Sequence, residues 1–254
     1  MSGVGKTTAA LTLAHRYDLR LYTIDARTYE HAAKMAPDKR TLDEIWVETT
    51  PERLADWFEE LSRERFRLIL EDLAAIDDEA PILVEGPQVL PELVPPEASP
   101  LFAVAAPELQ CRLVQAQGPS GAARTRDPER ALANRLGRDE ILAERLRANA
   151  AELGFPVVEV EAVEETLPAL ERRFLPLLEP WLAQPHGDVS ARRREENDTR
   201  LRQWRSHVDA VGIENPGEIE LACECEAAGC ELTVRSGLFE AEAARSAGEP
   251  LRAH

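Results

Sequence analysis

The sequence predicts an α/β fold built on a doubly wound parallel sheet, and three observations support this prediction. Strand-like and helix-like apolar segments alternate between residues 6 and 182. The strand-like segments are short, continuous apolar runs, which are typical of parallel strands buried on both faces. A glycine-rich segment opens the chain, and an apolar helical segment follows it at once. The 254 residues suffice for one such domain plus a small appendage.

Apolar periodicity predicts the elements in order. The predicted strands cover residues 19–24, 81–84, 101–105 and 154–160. The predicted helices cover 6–17, 51–73 as one helix or two, 138–153 and 167–181. A Pro-His-Gly turn at 185–187 suggests where the domain ends. We therefore expect a nucleotide-binding domain over 1–184, a charged helical linker over 185–212 and a small α+β module over 213–254.

The first residues have the sequence of the second half of a phosphate-binding P-loop. Its glycines let backbone amides turn inward to bind an anion, and the following helix directs its positive end to the same place. Lys6 can reach the β- and γ-phosphates of a nucleotide, and the hydroxyl of Thr7 is placed to ligate Mg²⁺. The residues expected to bind the cofactor are Gly3, Val4, Gly5, Lys6, Thr7 and Thr8.

The P-loop motif is incomplete at its start. The motif calls for a further glycine about five residues before Gly5, and for a buried strand before that glycine. Both would precede Met1, so we expect a truncated chain whose sheet lacks its first, central strand. The alternative is a glycine-rich N-terminus that spells Gly-Lys-Thr by chance.

The order of motifs resembles the small-molecule P-loop kinases of the nucleotide and shikimate kinase type. That order is the P-loop, Asp25 after the second strand, Glu85-Gly86-Pro87 after the next, an arginine-rich segment and a final strand, over about residues 1–182. The resemblance implies ATP and Mg²⁺ as cofactors. It also implies transfer of a phosphoryl group to a small hydroxylated metabolite or nucleoside.

The resemblance also implies roles for residues outside the P-loop. Asp25 would orient the acceptor hydroxyl or act as base, and Arg27 would clamp an anionic acceptor. Glu85 would hold Mg²⁺ through water or position the acceptor. The alternatives are that Asp25 only caps a helix in a surface turn and that Glu85 only starts a loop.

An arginine-rich segment between residues 124 and 138 resembles the mobile lid of these kinases. Guanidinium groups bind phosphate oxygens in pairs and stabilise charge on a transferring phosphoryl group. Arg126 is expected to bind ATP, and Arg130 is expected to be catalytic together with Lys6, Asp25 and Glu85. The alternative is a solvated helix in which the arginines pair with neighbouring carboxylates. The segment contains Arg124, Arg126, Arg130, Arg135 and Arg138.

The charge of the chain argues against some partners. A net charge of −17 disfavours nucleic acid and membrane surfaces, because both are polyanionic. No apolar run approaches the about 18 residues of a membrane span, and we expect a cytoplasmic protein. The predicted partner is a small-molecule acceptor, and the sequence does not identify protein partners.

Three closely spaced cysteines distinguish the C-terminal module. The pattern Cys223-x-Cys225 followed by Cys230 resembles a small module of uncharacterised actinobacterial-type proteins. Such thiols could bind Zn²⁺, or they could stay free. Because Cys111 is remote in sequence, His207 or His254 would have to supply the fourth ligand. An alternative function follows from this module: a nucleotide-binding switch, or an inactive kinase fold, with the module as a partner-binding arm.

Overall fold

A computed structural model describes residues 5–116 and 124–253 of the protein. Its helices are α1 (Lys6–Arg16), α2 (Thr28–Ala32), α3 (Leu42–Trp46), α4 (Pro51–Ala74), α5 (Pro107–Ala116), α6 (Pro128–Glu152), α7 (Thr166–Leu182), α8 (Val189–Val211) and α9 (Leu238–Ser246). Its strands are β1 (Arg20–Thr23), β2 (Ile82–Glu85), β3 (Phe102–Ala105), β4 (Val157–Val160), β5 (Glu218–Ala222) and β6 (Thr233–Gly237). Short 3₁₀ turns cover Ile24–Arg27, Pro91–Leu93 and Val163–Glu165.

The chain divides into two compact units. The first unit comprises Met1–Lys6, Met35–Ile76 and Pro87–Arg173. The second unit comprises Thr7–Lys34, Asp77–Gly86 and Phe174–His254. The second unit thus takes residues from every one of the three predicted domains, whose boundaries stay a prediction.

Each parallel strand pair lies within one unit. In the second unit β1 pairs with β2, from Arg20 opposite Ile82 to Thr23 opposite Glu85. In the first unit β3 pairs with β4 in the same parallel sense. The C-terminal strands β5 and β6 are antiparallel. The prediction of a mixed α/β fold with parallel strands is confirmed, whereas the described strands form three two-stranded sheets and not one continuous sheet.

Local signals explain where the long helices begin. Thr50 accepts the amide of Arg53 ahead of Pro51, so α4 starts there and continues unbroken to Ala74. Asp127 caps α6 in the same way ahead of Pro128. The predicted start at Arg138 was therefore wrong by three turns, because the cap and the proline extend the helix towards its N-terminus.

The second unit has two apolar clusters. One joins α1, β1 and α7, and the indole Nε1 of Trp181 donates to the carbonyl of Tyr17 at 3.0 Å. The other packs α8 against β5 and α9. The buried members of the first cluster are Ala10, Ala14, Leu19, Leu21, Ala80, Leu178 and Trp181. The buried members of the second are Leu201, Val208, Leu221, Leu238, Ala241 and Leu251.

The first unit has smaller apolar clusters. Ala105 and Leu109 pack with Val160, so that β3, α5 and β4 share a core. Val47 packs against Ala131 of α6. Within the described ranges, no helix combines the length and the apolarity needed to cross a lipid bilayer.

Candidate functional site

The described part of the predicted P-loop begins at Gly5, because Gly3 and Val4 lie outside the described residues. Gly5 has a φ of +73°, and a Cβ at this position would lie 2.5 Å from Cγ1 of Val163. Only glycine meets both conditions without strain. The helix α1 follows immediately, and its first turn carries no acidic side chain. The positive end of the helix dipole is therefore not offset by a carboxylate of its own first turn.

The structure brings Thr7 and Glu85 together within the second unit. Oγ1 of Thr7 donates a hydrogen bond of 3.1 Å to Oε1 of Glu85. Thr7 is exposed at the start of α1, and Glu85 is the buried last residue of β2. Hydroxyl and carboxylate oxygens are the hard ligands that Mg²⁺ prefers. Thr7 and Glu85, which the sequence predicted as separate site residues, thus place two oxygen atoms side by side at the start of α1.

Gly86 explains how Glu85 reaches this position. A Cβ on Gly86 would lie 2.6 Å from Cβ of Ile24, at the start of the turn that follows β1. The backbone after β2 therefore passes against Ile24 at a distance that only glycine allows. Thr8 is exposed, and its carbonyl accepts the hydroxyl of Thr12.

The predicted acceptor residues Asp25 and Arg27 lie in the 3₁₀ turn after β1. Because Thr23 is opposite Glu85 in the parallel register, this turn is at the same sheet edge as Glu85. Asp25 is exposed, and the helix α2 begins without a side-chain cap. Nη1 of Arg27 donates to Oε2 of Glu30 at 3.2 Å, and its guanidinium lies 4.9 Å from the ring centroid of Tyr22.

A cavity of about 320 Å³ adjoins this turn in the second unit. One wall comes from Thr23 and Ala26, and α8 supplies most of the other. Nη1 of Arg200 is buried and makes no hydrogen bond to the described residues. The amide of Tyr29 donates to Oε1 of Gln203 at 3.0 Å and so orients that side chain. The lining residues are Thr23, Ala26, Arg200, Gln203, Trp204, His207 and Ile219.

Sequence analysis missed this cavity. Its two walls are about 175 residues apart in the chain. In the sequence, α8 is recognisable only as a charged helix with apolar positions along one side. The sequence therefore predicted only a charged helical linker here. The buried Nη1 of Arg200 shows that at least one of the arginines of α8 turns inward.

The predicted lid arginines lie in the first unit. Nη2 of Arg126 donates to Oε1 of Glu48 at 2.7 Å, and its amide donates to Asp43. Arg138 pairs with Asp139 and lies over the ring of Trp46 at 5.1 Å. Arg138 therefore shows the predicted alternative, pairing with Asp139, whereas Arg126 pairs with Glu48, which the sequence did not predict.

Two further arginines of the segment have different surroundings. Arg130 is exposed, and its amide donates to Asp127 in the helix cap. Burial lowers the pKa of Arg135, although the Asp139 carboxylate acts in the opposite direction. The phosphate-binding roles of Arg126 and Arg130 stay a prediction.

The cysteine loop (residues 223–230) brings three thiols together in the second unit. The Sγ atoms of Cys223, Cys225 and Cys230 all lie within 4.8 Å of one another, and the first two residues are buried. All three are free thiols. This group could hold a metal ion. His207, one candidate for a fourth ligand, instead contacts the hydroxyl of Tyr29 through Nδ1 at 3.1 Å. His254 and the side chain of Cys111 lie outside the described residues.

Polar donors contact two of the sulfurs. The amide of Ala253 donates to Cys223 Sγ at 3.4 Å, and Nη1 of Arg193 donates to Cys225 Sγ at 3.7 Å. Burial alone would raise the pKa of the Cys225 thiol, but the Ala227 amide, the neighbouring thiols and Arg193 lower it. Burial and the neighbouring thiols raise the pKa of Cys230.

Arg193 of α8 ties the cysteine loop to the end of α1. Its Nη1 donates to the carbonyls of Cys225 and Ala227, at 3.1 and 3.2 Å, and its Nη2 donates to Oδ1 of Asp18 at 3.0 Å. The amide of Gly229 donates to both carboxylate oxygens of Asp18, each at 3.1 Å. Asp18 and Arg193 are both buried, so this ion pair is shielded from water.

A second buried network holds the start of the loop. Asn197 of α8 exchanges hydrogen bonds of 2.8 and 2.9 Å with the amide and carbonyl of Ala222. Glu224 is fully buried and is bound by Arg245, Asn197 and the amide of Leu251. Burial alone would raise the pKa of Glu224, but these donors lower it below its ordinary value. The sequence assigned this helix to a charged linker and gave no sign of the network.

The chain was compared with family models, with curated proteins and with solved structures, and none of them matches it.

Proposed function

We propose that this protein binds ATP with Mg²⁺ at the start of α1 and transfers the γ-phosphoryl group to a small hydroxylated metabolite or nucleoside. The observation that carries the proposal is the 3.1 Å hydrogen bond between Oγ1 of Thr7 and Oε1 of Glu85. In P-loop enzymes a loop threonine or serine and a carboxylate that follows a strand together hold the magnesium ion. Here both groups are present, and the glycine before Lys6 has the backbone conformation of a turn.

The proposed roles follow from the chemistry of each group. Lys6 would neutralise the β- and γ-phosphates, and the amides at the start of α1 would bind their oxygens. Thr7 and Glu85 would hold Mg²⁺, directly or through water. The phosphate contacts of Arg126 and Arg130 are further proposals from the resemblance. A doubly wound sheet of the P-loop kinase type is also a proposal. The two parallel strand pairs, β1 with β2 and β3 with β4, support it.

The cavity beside the turn after β1 is the acceptor site in this proposal. It adjoins Asp25, and its Thr23 is opposite Glu85 in the sheet. A buried guanidinium nitrogen without a partner among the described residues favours an anionic or carbonyl-bearing ligand, because an unmatched buried donor is costly. Trp204 offers an apolar surface for the rest of the molecule. We therefore expect an acceptor that carries an acidic or carbonyl group besides its hydroxyl.

A second candidate function is nucleotide binding without transfer. Arg126 and Arg138, two of the predicted lid residues, are engaged with Glu48 and Asp139. If these pairs persist with nucleotide bound, the protein would act as a switch or as an inactive kinase fold, with the C-terminal module as its partner-binding arm.

Calorimetric titration with ATP and Mg²⁺ tests the nucleotide site. We expect binding by the protein and at least a tenfold weaker affinity for Lys6→Ala and Thr7→Ala, since each removes a phosphate or metal contact. The matched control is Lys39→Ala, which removes an exposed lysine elsewhere. Equal affinity in Lys6→Ala and Lys39→Ala, or no binding by the unmodified protein, would refute the proposal.

A coupled assay of ADP release across hydroxylated metabolites and nucleosides separates transfer from binding alone. Transfer predicts turnover that one acceptor stimulates, and a KM for that acceptor that rises at least tenfold in Arg200→Ala. The control is Arg202→Ala, whose guanidinium is exposed and paired with Glu30. Binding without stimulated turnover for any acceptor supports the second candidate.

The remaining cofactor proposal is Zn²⁺ at the three cysteines. Thiolates in a group of this size select soft or borderline ions that accept tetrahedral geometry, and zinc is the commonest of them. ATP and free thiols both fit the cytoplasm, which is our proposal for where the protein acts.

A further inference from the structure

The three thiols of the cysteine loop face one another and sit next to the end of α1. We propose that Cys223, Cys225 and Cys230 supply three of the four ligands of one Zn²⁺, and that this ion fixes the cysteine loop against the carboxyl end of α1. The ligand class is one divalent, thiophilic, tetrahedral cation. The inference uses the proposed zinc and is independent of the nucleotide site.

The spacing of the sulfur atoms suits a single zinc ion. Zinc–sulfur bonds are about 2.3 Å, so two thiolates on one tetrahedral ion are about 3.8 Å apart. The three Sγ atoms lie within 4.8 Å of one another, which is close enough for all three to be ligands of one ion. A disulfide between two of them would leave the third thiol buried beside it, whereas a metal ion uses all three.

The hydrogen bonds around the sulfurs are those that support thiolates. The amide of Ala253 donates to Cys223 Sγ at 3.4 Å, and Nη1 of Arg193 donates to Cys225 Sγ at 3.7 Å. Such outer contacts orient metal ligands and stabilise their negative charge. Donors therefore lie beside two of the sulfurs, as they do beside the thiolate ligands of a bound cation.

Charge near the site is balanced for a bound dication. Three thiolates and one Zn²⁺ carry a net charge of −1, and the Arg193 guanidinium contacts Cys225 Sγ at 3.7 Å. Glu224, although it lies between two of the cysteines, is bound to Arg245, Asn197 and the amide of Leu251. Its carboxylate is therefore occupied and is not a zinc ligand in this arrangement.

The same loop makes the contacts that hold Asp18. Gly229, next to Cys230, donates its amide to Asp18, and Arg193 joins Asp18 to the carbonyls of Cys225 and Ala227. Asp18 itself has a φ of 52°, which a non-glycine residue adopts only where its surroundings hold it. The cysteine loop has no regular secondary structure, so its conformation depends on these contacts and on any bond that links its sulfur atoms. A bound zinc ion would provide that link.

Metal content of protein purified without an affinity tag tests the site. We expect about one zinc per chain by mass spectrometry, and less than a tenth of that in Cys225→Ser and Cys230→Ser. Cys111→Ser, the same change at the fourth cysteine, should retain the metal. If the serine variants fail to fold, zinc-free protein titrated with Co²⁺ gives the answer through the thiolate-to-cobalt absorption of a tetrahedral site. A zinc ratio near zero together with no such absorption would overturn the metal site.

Hydrogen exchange of the zinc-loaded and zinc-free protein, without nucleotide, tests the fixing role. We expect faster exchange after zinc removal at residues 223–230 and also at the last turn of α1, with β3 and β4 unchanged. Zinc binding with unchanged exchange at the end of α1 would refute the fixing role. Zinc content should be the same in Lys6→Ala as in the unmodified protein, so failure of the nucleotide proposal would leave this one standing.

Discussion

The two candidate sites of the second unit are built in opposite ways. At the start of α1, Thr7 is exposed, and one hydrogen bond joins it to Glu85. In the cysteine loop, Cys223 and Cys225 are buried, and Asn197, Glu224 and Arg193 around them are all hydrogen bonded. A site for a ligand that comes and goes keeps its groups accessible. A site for an ion that stays can be buried, because its ligand never has to leave.

This contrast predicts that changes at the cysteine loop act mainly on stability and changes at the P-loop mainly on ligand binding and turnover. The following changes test that division, from the largest expected effect to the smallest.

Arg193→Ala should have the largest effect. It leaves the buried Asp18 without its guanidinium partner and removes two donors to the cysteine loop. Breaking a buried ion pair on one side costs about 3–5 kcal/mol. Denaturant unfolding measures the loss, with Arg194→Ala, a half-buried neighbour, as the control. Equal stability of the two variants would contradict the importance of the buried pair.

Gly86→Ala should have the next largest effect on stability. Its added Cβ would approach Cβ of Ile24 to 2.6 Å, and backbone or side chains must shift to relieve the contact. Overpacking of this kind costs about 1–3 kcal/mol. Gly154→Ala serves as a contrast, because no atom lies within 4 Å of a Cβ there, although its φ of +71° carries its own cost. A thermal melt compares them, and a Gly86→Ala variant as stable as the unmodified protein would show that the two segments separate easily.

Glu85→Gln sharpens the division between stability and function. Glutamine keeps an oxygen for the Thr7 hydroxyl but loses the charge that would hold Mg²⁺. We expect acceptor-stimulated turnover to fall about 10–100-fold, the usual cost of changing a group that supports a metal. The melting temperature should change far less than in Arg193→Ala. If turnover is unchanged, Glu85 is only the start of a loop, as the sequence allowed.

Arg126→Ala should have the smallest effect on stability. Its ion pair with Glu48 is exposed on both sides, and such pairs contribute about 0–1 kcal/mol. Turnover decides between its two interpretations. A fall of tenfold or more in kcat, with an unchanged melting temperature, supports a phosphate-binding role. Unchanged kcat supports a surface ion pair.

Much of the local structure could be predicted from the sequence. The start of α4 follows from Thr50 and Pro51. The short apolar run before Glu85 indicated a strand, and the apolar run after Lys6 indicated a helix. The close spacing of Cys223, Cys225 and Cys230 indicated that their thiols would be neighbours, because a loop of eight residues cannot separate them far. These predictions succeed because capping, side-chain periodicity and short loops depend on residues close together in the chain.

The pairs that decide the sites depend on tertiary structure. Thr7 and Glu85 are 78 residues apart, and Asp18 and Arg193 are 175 apart. The arginines of α8 look alike in the sequence, yet Arg193 is buried and Arg202 is exposed. Which arginine turns inward depends on where α1, β1 and the cysteine loop pack against the helix. No periodicity within the helix contains that information, since the energy of a buried pair arises only when distant segments exclude water together.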